Sequence, residues 1–106
     1  FRLLGLDGSK GKMKIDEKLH FFKLFDIYGK LLSEGQQKII SYYLNYDLTI
    51  SEIASNLGVS RQAVKDSITK GQSKLELLEE KLSLAKKIEM LEKKIEDLEK
   101  QDKKED

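Results

Sequence analysis

The sequence predicts an all-α protein: a helical bundle built on a helix-turn-helix and continued by a long, charged, coiled-coil-like helical extension. Three observations carry that prediction. The 106 residues contain no proline, so no position lacks the amide that a helix interior needs. Apolar residues recur at three- and four-residue steps from Asp16 onward, which is the period of a helix with one buried side. Residues suited to capping a helix, Ser33, Thr49 and Ser60, stand just ahead of those stripes.

Residues 1–12 hold three of the seven glycines and show no helical period. They read as a flexible segment or an expression remnant, with Met13 as the natural start. From Asp16, a plausible N-cap, Leu19, Phe22, Phe25 or Asp26, and Leu24, Ile27, Tyr28, Leu31 and Leu32 mark a first helix. Gly29 weakens its end without having to stop it. Ser33-Glu34-Gly35-Gln36 is a capping box opening a second helix, whose apolar side is Ile39, Ile40, Tyr43 and Leu44. Asn45, Tyr46 and Asp47 supply a polar break. A second capping box, Thr49 with Glu52, opens a short third helix with Ile50, Ile53, Ala54 and Leu57 on its buried stripe. Gly58 suits a left-handed helix end, and Ser60 caps a fourth helix that turns Ala63, Val64 and Ile68 inward. These elements make a four-helix core at about 14–72, within a helix-turn-helix domain at 13–74.

Past residue 74 the texture changes, and 75–106 reads as a C-terminal helical extension. Leu75, Leu78, Leu82 and Ala85 are spaced as in a heptad, and so are Ile88, Leu91, Ile95 and Leu98. The joining step from Ala85 to Ile88 is one residue short for a continuous seam. A bend near Ser83 follows, and two helical segments are as compatible with the pattern as one rod. Gln101–Asp106 is wholly polar and expected to fray.

Composition narrows the function. With no cysteine there is neither a disulfide nor a thiolate metal site, and the single histidine, His20, rules out multi-histidine metal sites and the usual catalytic triads. Asp16, Glu17 and Asp26 form no carboxylate pair with a nucleophile or base. No catalytic residue, metal site or cofactor is therefore expected, and the protein reads as a non-enzyme. No apolar run approaches the roughly 18–20 residues that cross a bilayer, and Phe1–Leu6 is too short for a signal peptide. Membrane insertion is not expected, and the cytoplasm is the expected compartment. The net charge of +1 hides an asymmetry. Residues 1–48 carry eight Lys/Arg against six Asp/Glu, residues 49–74 four against two, and residues 75–106 eight against eleven. A mildly basic front permits nucleic-acid binding without demanding it.

The run Thr49–Ile68 carries the function. Ala54 lets two helices cross closely, Gly58 reverses the chain, and Val59 is placed to plug the angle between the helices. Val64 and Ile68 pack back on Ile53 and Leu57. That geometry leaves the outer face of the fourth helix free to enter a major groove. On it lie Arg61, Gln62, Lys65, Asp66 and Thr69. Arginine and glutamine near the start of such a helix suit bidentate contact with guanine and adenine edges. Ser60 and its neighbouring amides suit a phosphate, with Lys65 and Lys70 adding positive charge. The expected nucleic-acid contacts are Ser60, Arg61, Gln62, Lys65, Thr69 and Lys70.

Other features have plainer readings. Phe21, Phe22, Phe25, Tyr28, Tyr42, Tyr43 and Tyr46 are expected to fill the core, with Tyr46 the exposed exception. His20 reads as an ordinary helical residue. The charge runs Glu79–Lys81 and Lys93–Lys104 read as solvated helix faces. Leu78, Leu82, Ile88, Leu91, Ile95 and Leu98 form a stripe that one helix cannot bury alone, so self-association or partner binding is expected through it, with a homodimer as the leading form.

Taken together, Leu32-Ser-Glu-Gly-Gln-Gln-Lys and Leu48-Thr-Ile-Ser-Glu-Ile-Ala-Ser-Asn-Leu-Gly-Val-Ser-Arg-Gln-Ala-Val-Lys-Asp resemble the promoter-reading C-terminal domain of bacterial sigma factors. The whole layout over residues 16–85 is more similar to the YlxM family of helix-turn-helix proteins. It adds Phe21-Phe22-Lys-Leu-Phe-Asp-Ile-Tyr-Gly-Lys-Leu-Leu, Tyr42-Tyr43-Leu-Asn-Tyr-Asp and Leu77-Leu-Glu-Glu-Lys-Leu. The Lys/Glu-rich stretch after residue 86 departs from the family's usual pattern. The resemblance implies a sigma-like fold and a place in or near the signal recognition particle pathway, through the particle's RNA, its GTPase or DNA near its genes. It implies no biochemical activity. The resulting expectation is a nucleic-acid-binding regulatory or accessory protein. The alternative is a protein-interaction adaptor that uses the helix-turn-helix only as a scaffold.

Overall fold

A computed structural model describes residues 14–104, so the segment expected to be flexible at 1–12 and the last two residues of the polar tail lie outside the described residues. Five α-helices follow one another: α1 (Ile15–Tyr28), α2 (Glu34–Leu44), α3 (Ile50–Leu57), α4 (Arg61–Leu82) and α5 (Leu84–Lys104), with one 3-10 turn, Gly29–Leu31, between the first two. No strand occurs among the described residues. The all-α prediction holds.

Local chemistry sets the helix starts. Ser33 Oγ accepts the Gln36 amide at 3.2 Å while Gln36 Oε1 accepts the Ser33 amide at 3.3 Å, which satisfies two donors that α2 itself leaves orphaned. Thr49 and Glu52 do the same for α3, at 3.1 and 2.8 Å. At α1 the prediction misses. The N-cap is Lys14, whose side chain makes no capping bond, and Asp16 lies with Glu17 inside the first turn, where both carboxylates face the positive end of the helix dipole.

The core is assembled around α4, which packs on α1, α2 and α3. Phe21, Leu24 and Tyr28 enter from α1, Ile40 and Tyr43 from α2, and Ile50, Ile53 and Ala54 from α3; Val64, Ile68 and Leu75 meet them from α4. At Gly71 the Ile40 side chain of α2 packs directly on the α4 backbone, so that a Cβ there would run into the Ile40 Cδ1 methyl. α4 continues through residues 74 and 75 without interruption, and Leu75 is wholly buried. The break comes at Ser83, whose φ of 54° is left-handed. Of the two open readings of the C-terminal stretch, two helices is the one adopted.

The stripe reading overreached at several positions. Leu19, Phe22 and Leu31 are exposed: they sit on the shoulders of their helices, where no other element covers them. Tyr46 is exposed, as expected, with its ring edge-on to Tyr42 at 6.0 Å.

Two side chains read as plain surface turn out to be structural. His20 Nε2 lies 3.0 Å from Glu76 Oε2, joining α1 to α4. Glu79, read as part of a solvated charge run, caps the start of α5 from the preceding helix. Its Oε1 accepts the Tyr28 hydroxyl at 2.8 Å and the Ala85 amide at 3.0 Å, and its Oε2 accepts the Lys86 amide at 3.2 Å. The Tyr28 oxygen in turn accepts the Leu84 amide at 3.1 Å. Burial pushes the Glu79 carboxyl up, but the amides of Ala85 and Lys86 and the Tyr28 hydroxyl outweigh it and hold the group below its ordinary value. A core tyrosine and one carboxylate thereby fix the corner where the chain leaves the bundle.

Candidate nucleic-acid interface

α3, the turn at 58–60 and the first three turns of α4 form the helix-turn-helix. Gly58 takes φ 68° and its amide bonds to the Ala54 carbonyl, ending α3, a conformation costly for any residue with a Cβ. Ala54 is buried where α3 meets α4, and Ile53, Val64 and Ile68 are wholly buried beside it. Two expected contacts are absent. Val59 is 44% exposed: the chain has already reversed at Gly58, which leaves this side chain on the outer rim of the turn. Ala63 is exposed as well, because α3 has ended before it could cover the first turn of α4.

The structure brings the six candidate contact residues onto one short stretch. Ser60 Oγ accepts the Ala63 amide at 3.0 Å, so this hydroxyl serves the helix end and leaves other first-turn amides pointing outward. Arg61, Gln62, Thr69 and Lys70 are exposed, and Lys65 is half-buried. No acidic residue stands in the first turn of α4, so the positive end of its dipole is uncompensated there. Among the described residues no ion pair engages Arg61, Lys65 or Lys70.

Two of the six are already occupied. Gln62 Nε2 donates to Asp66 Oδ1 at 2.9 Å, one turn along the helix, and Thr69 Oγ1 donates back to the Lys65 carbonyl at 2.8 Å. Asp66 therefore places a negative charge among these residues and holds the Gln62 amide. Sequence reasoning placed Asp66 on this face but missed its pairing with Gln62, which an acceptor four residues after a helical glutamine signals. A hollow lined by Phe22, Phe25, Asp26, Gly29, Lys30, Gln37 and Asn45 lies on the α1–α2 side of the molecule and takes no residue from α3 or α4.

The seam residues divide. Leu78 packs against the chain's own core, because α4 still lies on the bundle at that point. Leu82, Ile88, Leu91, Ile95 and Leu98 are exposed. No described helix is long and apolar enough to cross a membrane.

Comparison with known proteins agrees with this architecture. Residues 15–106 match the family model described as "Putative helix-turn-helix protein, YlxM / p13 like". The chain is 48% identical over 61 residues to the UPF0122 protein of Acetivibrio thermocellus, covering 58% of this chain and 52% of that one. It is 47% identical over 70 residues to a UPF0122 protein of Halalkalibacterium halodurans, covering 66% and 64%. A UPF0122 protein of Malacoplasma penetrans shares 53% identity over 60 residues, covering 56% and 55%. These matches span between half and two thirds of the relatives' own length. With its buried Ala54, its left-handed Gly58 and a family match running through all five helices, the chain belongs to the YlxM / p13-like family of helix-turn-helix proteins.

Proposed function

We propose that this protein binds nucleic acid through the outer face of residues 60–70 and acts as a regulatory or accessory factor in or near the signal recognition particle pathway. One observation carries the binding reading most: Arg61 and Lys70 are exposed and Lys65 half-buried along the first three turns of α4, whose first turn is capped by Ser60 and carries no acidic residue. Arg61 is placed for a guanine edge, Lys65 and Lys70 for phosphates, and Gln62 for an adenine once it leaves Asp66. The first-turn amides beside Ser60 supply a further phosphate contact. The pathway link rests on the family resemblance alone, and within it the particle's RNA, its GTPase and DNA near its genes are the candidate targets.

The test is titration of duplex DNA and of structured RNA with the full chain at low salt. Arg61→Ala should weaken the preferred nucleic acid by about tenfold, the loss expected of one bidentate base contact. Asp66→Asn should tighten it a few-fold, because one opposing charge is removed. Failure of both nucleic acids to bind at low salt selects the adaptor reading, in which the helix-turn-helix is only a scaffold.

A further inference from the structure

Past Ala85 every described side chain of α5 is exposed, including Ile88, Leu91, Ile95 and Leu98, which line one side of the helix. The chain's own bundle does not cover this side. It meets α5 on another flank, where Ala85 packs on the core and Glu89 Oε1 lies 3.6 Å from Lys23 Nζ. At 100° per residue, that flank is turned roughly 120° away from the centre of the apolar stripe. The stripe is exposed and has no partner among the described residues.

Its register says what covers it. In heptad positions, Ile88 and Ile95 fall at a, and Leu91 and Leu98 at d, with Leu84 as the preceding d. Isoleucine at a with leucine at d favours two parallel strands over three or four. Lys87 and Lys94 fall at g, and Glu92 and Glu99 at e. In a parallel, in-register pair each g residue faces the e residue of the next heptad on the other helix. Lys87 then meets the partner's Glu92, and Lys94 meets the partner's Glu99, each twice by symmetry. In an antiparallel pair g faces g and e faces e, so lysines would oppose lysines and glutamates would oppose glutamates. The charges are thus complementary to a second copy of the same helix in one orientation only. Asp102 takes the next a position and closes the seam.

We infer that α5 pairs with α5 of a second copy as a short parallel, in-register coiled coil, which sets two helix-turn-helix units at the same end. This inference concerns a surface separate from residues 60–70, and its readouts involve no nucleic acid.

Sedimentation equilibrium of the full chain at roughly 100 µM should show a monomer–dimer equilibrium, since so short a seam holds a marginal pair. Lys87→Glu with Lys94→Glu should raise the dissociation constant by about tenfold, because four attractive pairs become repulsive. Neither lysine side chain contacts the core, so the helical signal should be retained. The chain has no cysteine, so Leu98→Cys alone should form a disulfide-linked dimer under mild oxidation. A full chain that stays monomeric overturns the inference. So does a dimer unmoved by the charge reversal, or one that links only when Ile88→Cys and Leu98→Cys chains are mixed, which is the antiparallel result.

Discussion

Ile68 and Leu75 in α4 have lost all contact with solvent, whereas Ile95 and Leu98 in α5 remain 57% and 60% exposed. Both helices are amphipathic, and both carry their apolar residues at three- and four-residue steps. The difference lies in what faces them. Around α4 three other helices present matching stripes, and close approach is permitted at Ala54 and Gly71. Around the outer part of α5 no other described element is packed. Amphipathic periodicity specifies that a helix has a side to bury, and only the rest of the fold decides whether that burial occurs within one molecule or between two.

The sharpest way to break the comparison is to delete an equivalent side chain from each region. Phe21→Ala, in the core, should cost about 3–5 kcal/mol, read by chemical denaturation. Ile95→Ala should change the unfolding of the monomer by less than about 0.5 kcal/mol, while still weakening any association. Similar losses from both would mean that α5 is part of the core. Next in size is the helix crossing itself. Gly71→Val should destabilise by about 1–3 kcal/mol, since Ile40 is fully enclosed and cannot yield to the added side chain.

A smaller effect should appear at the corner between the two regions. Because the folded Glu79 carboxyl lies below its ordinary value of 4.5, its stabilising contribution is fully present above that value and is lost as pH falls through the depressed folded value. Glu79→Gln should remove that part of the acid dependence. It should also speed amide exchange at Ala85 and Lys86, with the bundle's own amides unaffected. Equal acid sensitivity in the variant would show that the carboxylate is not what holds the corner.

Most of the bundle is legible in the sequence because its signals are local. Capping boxes at Ser33 and Thr49, the glycine at 58 and the inward stripe of α3 each declare themselves within a few residues. What is not legible depends on distant partners. His20 meets a residue 56 positions away, and Tyr28 meets Glu79 51 positions away; nothing near either one announces the pairing. Val59 and Ala63 read as buried because their residue types are apolar, yet the turn ends too soon to cover them. At the candidate interface the sequence identifies which residues share the outer face of α4. The spacing of four residues also signals the hydrogen bond from Gln62 to Asp66, which a reading of each side chain by itself passes over.

The proposed role of the first turns of α4 as an electrostatic reading face is tested most directly by the salt dependence of binding. The affinity of the full chain for its preferred nucleic acid should fall linearly on a log–log plot against salt. Lys65→Ala should reduce that slope by about one unit if Lys65 meets a phosphate. A slope unchanged by Lys65→Ala, or an affinity indifferent to salt, would contradict it.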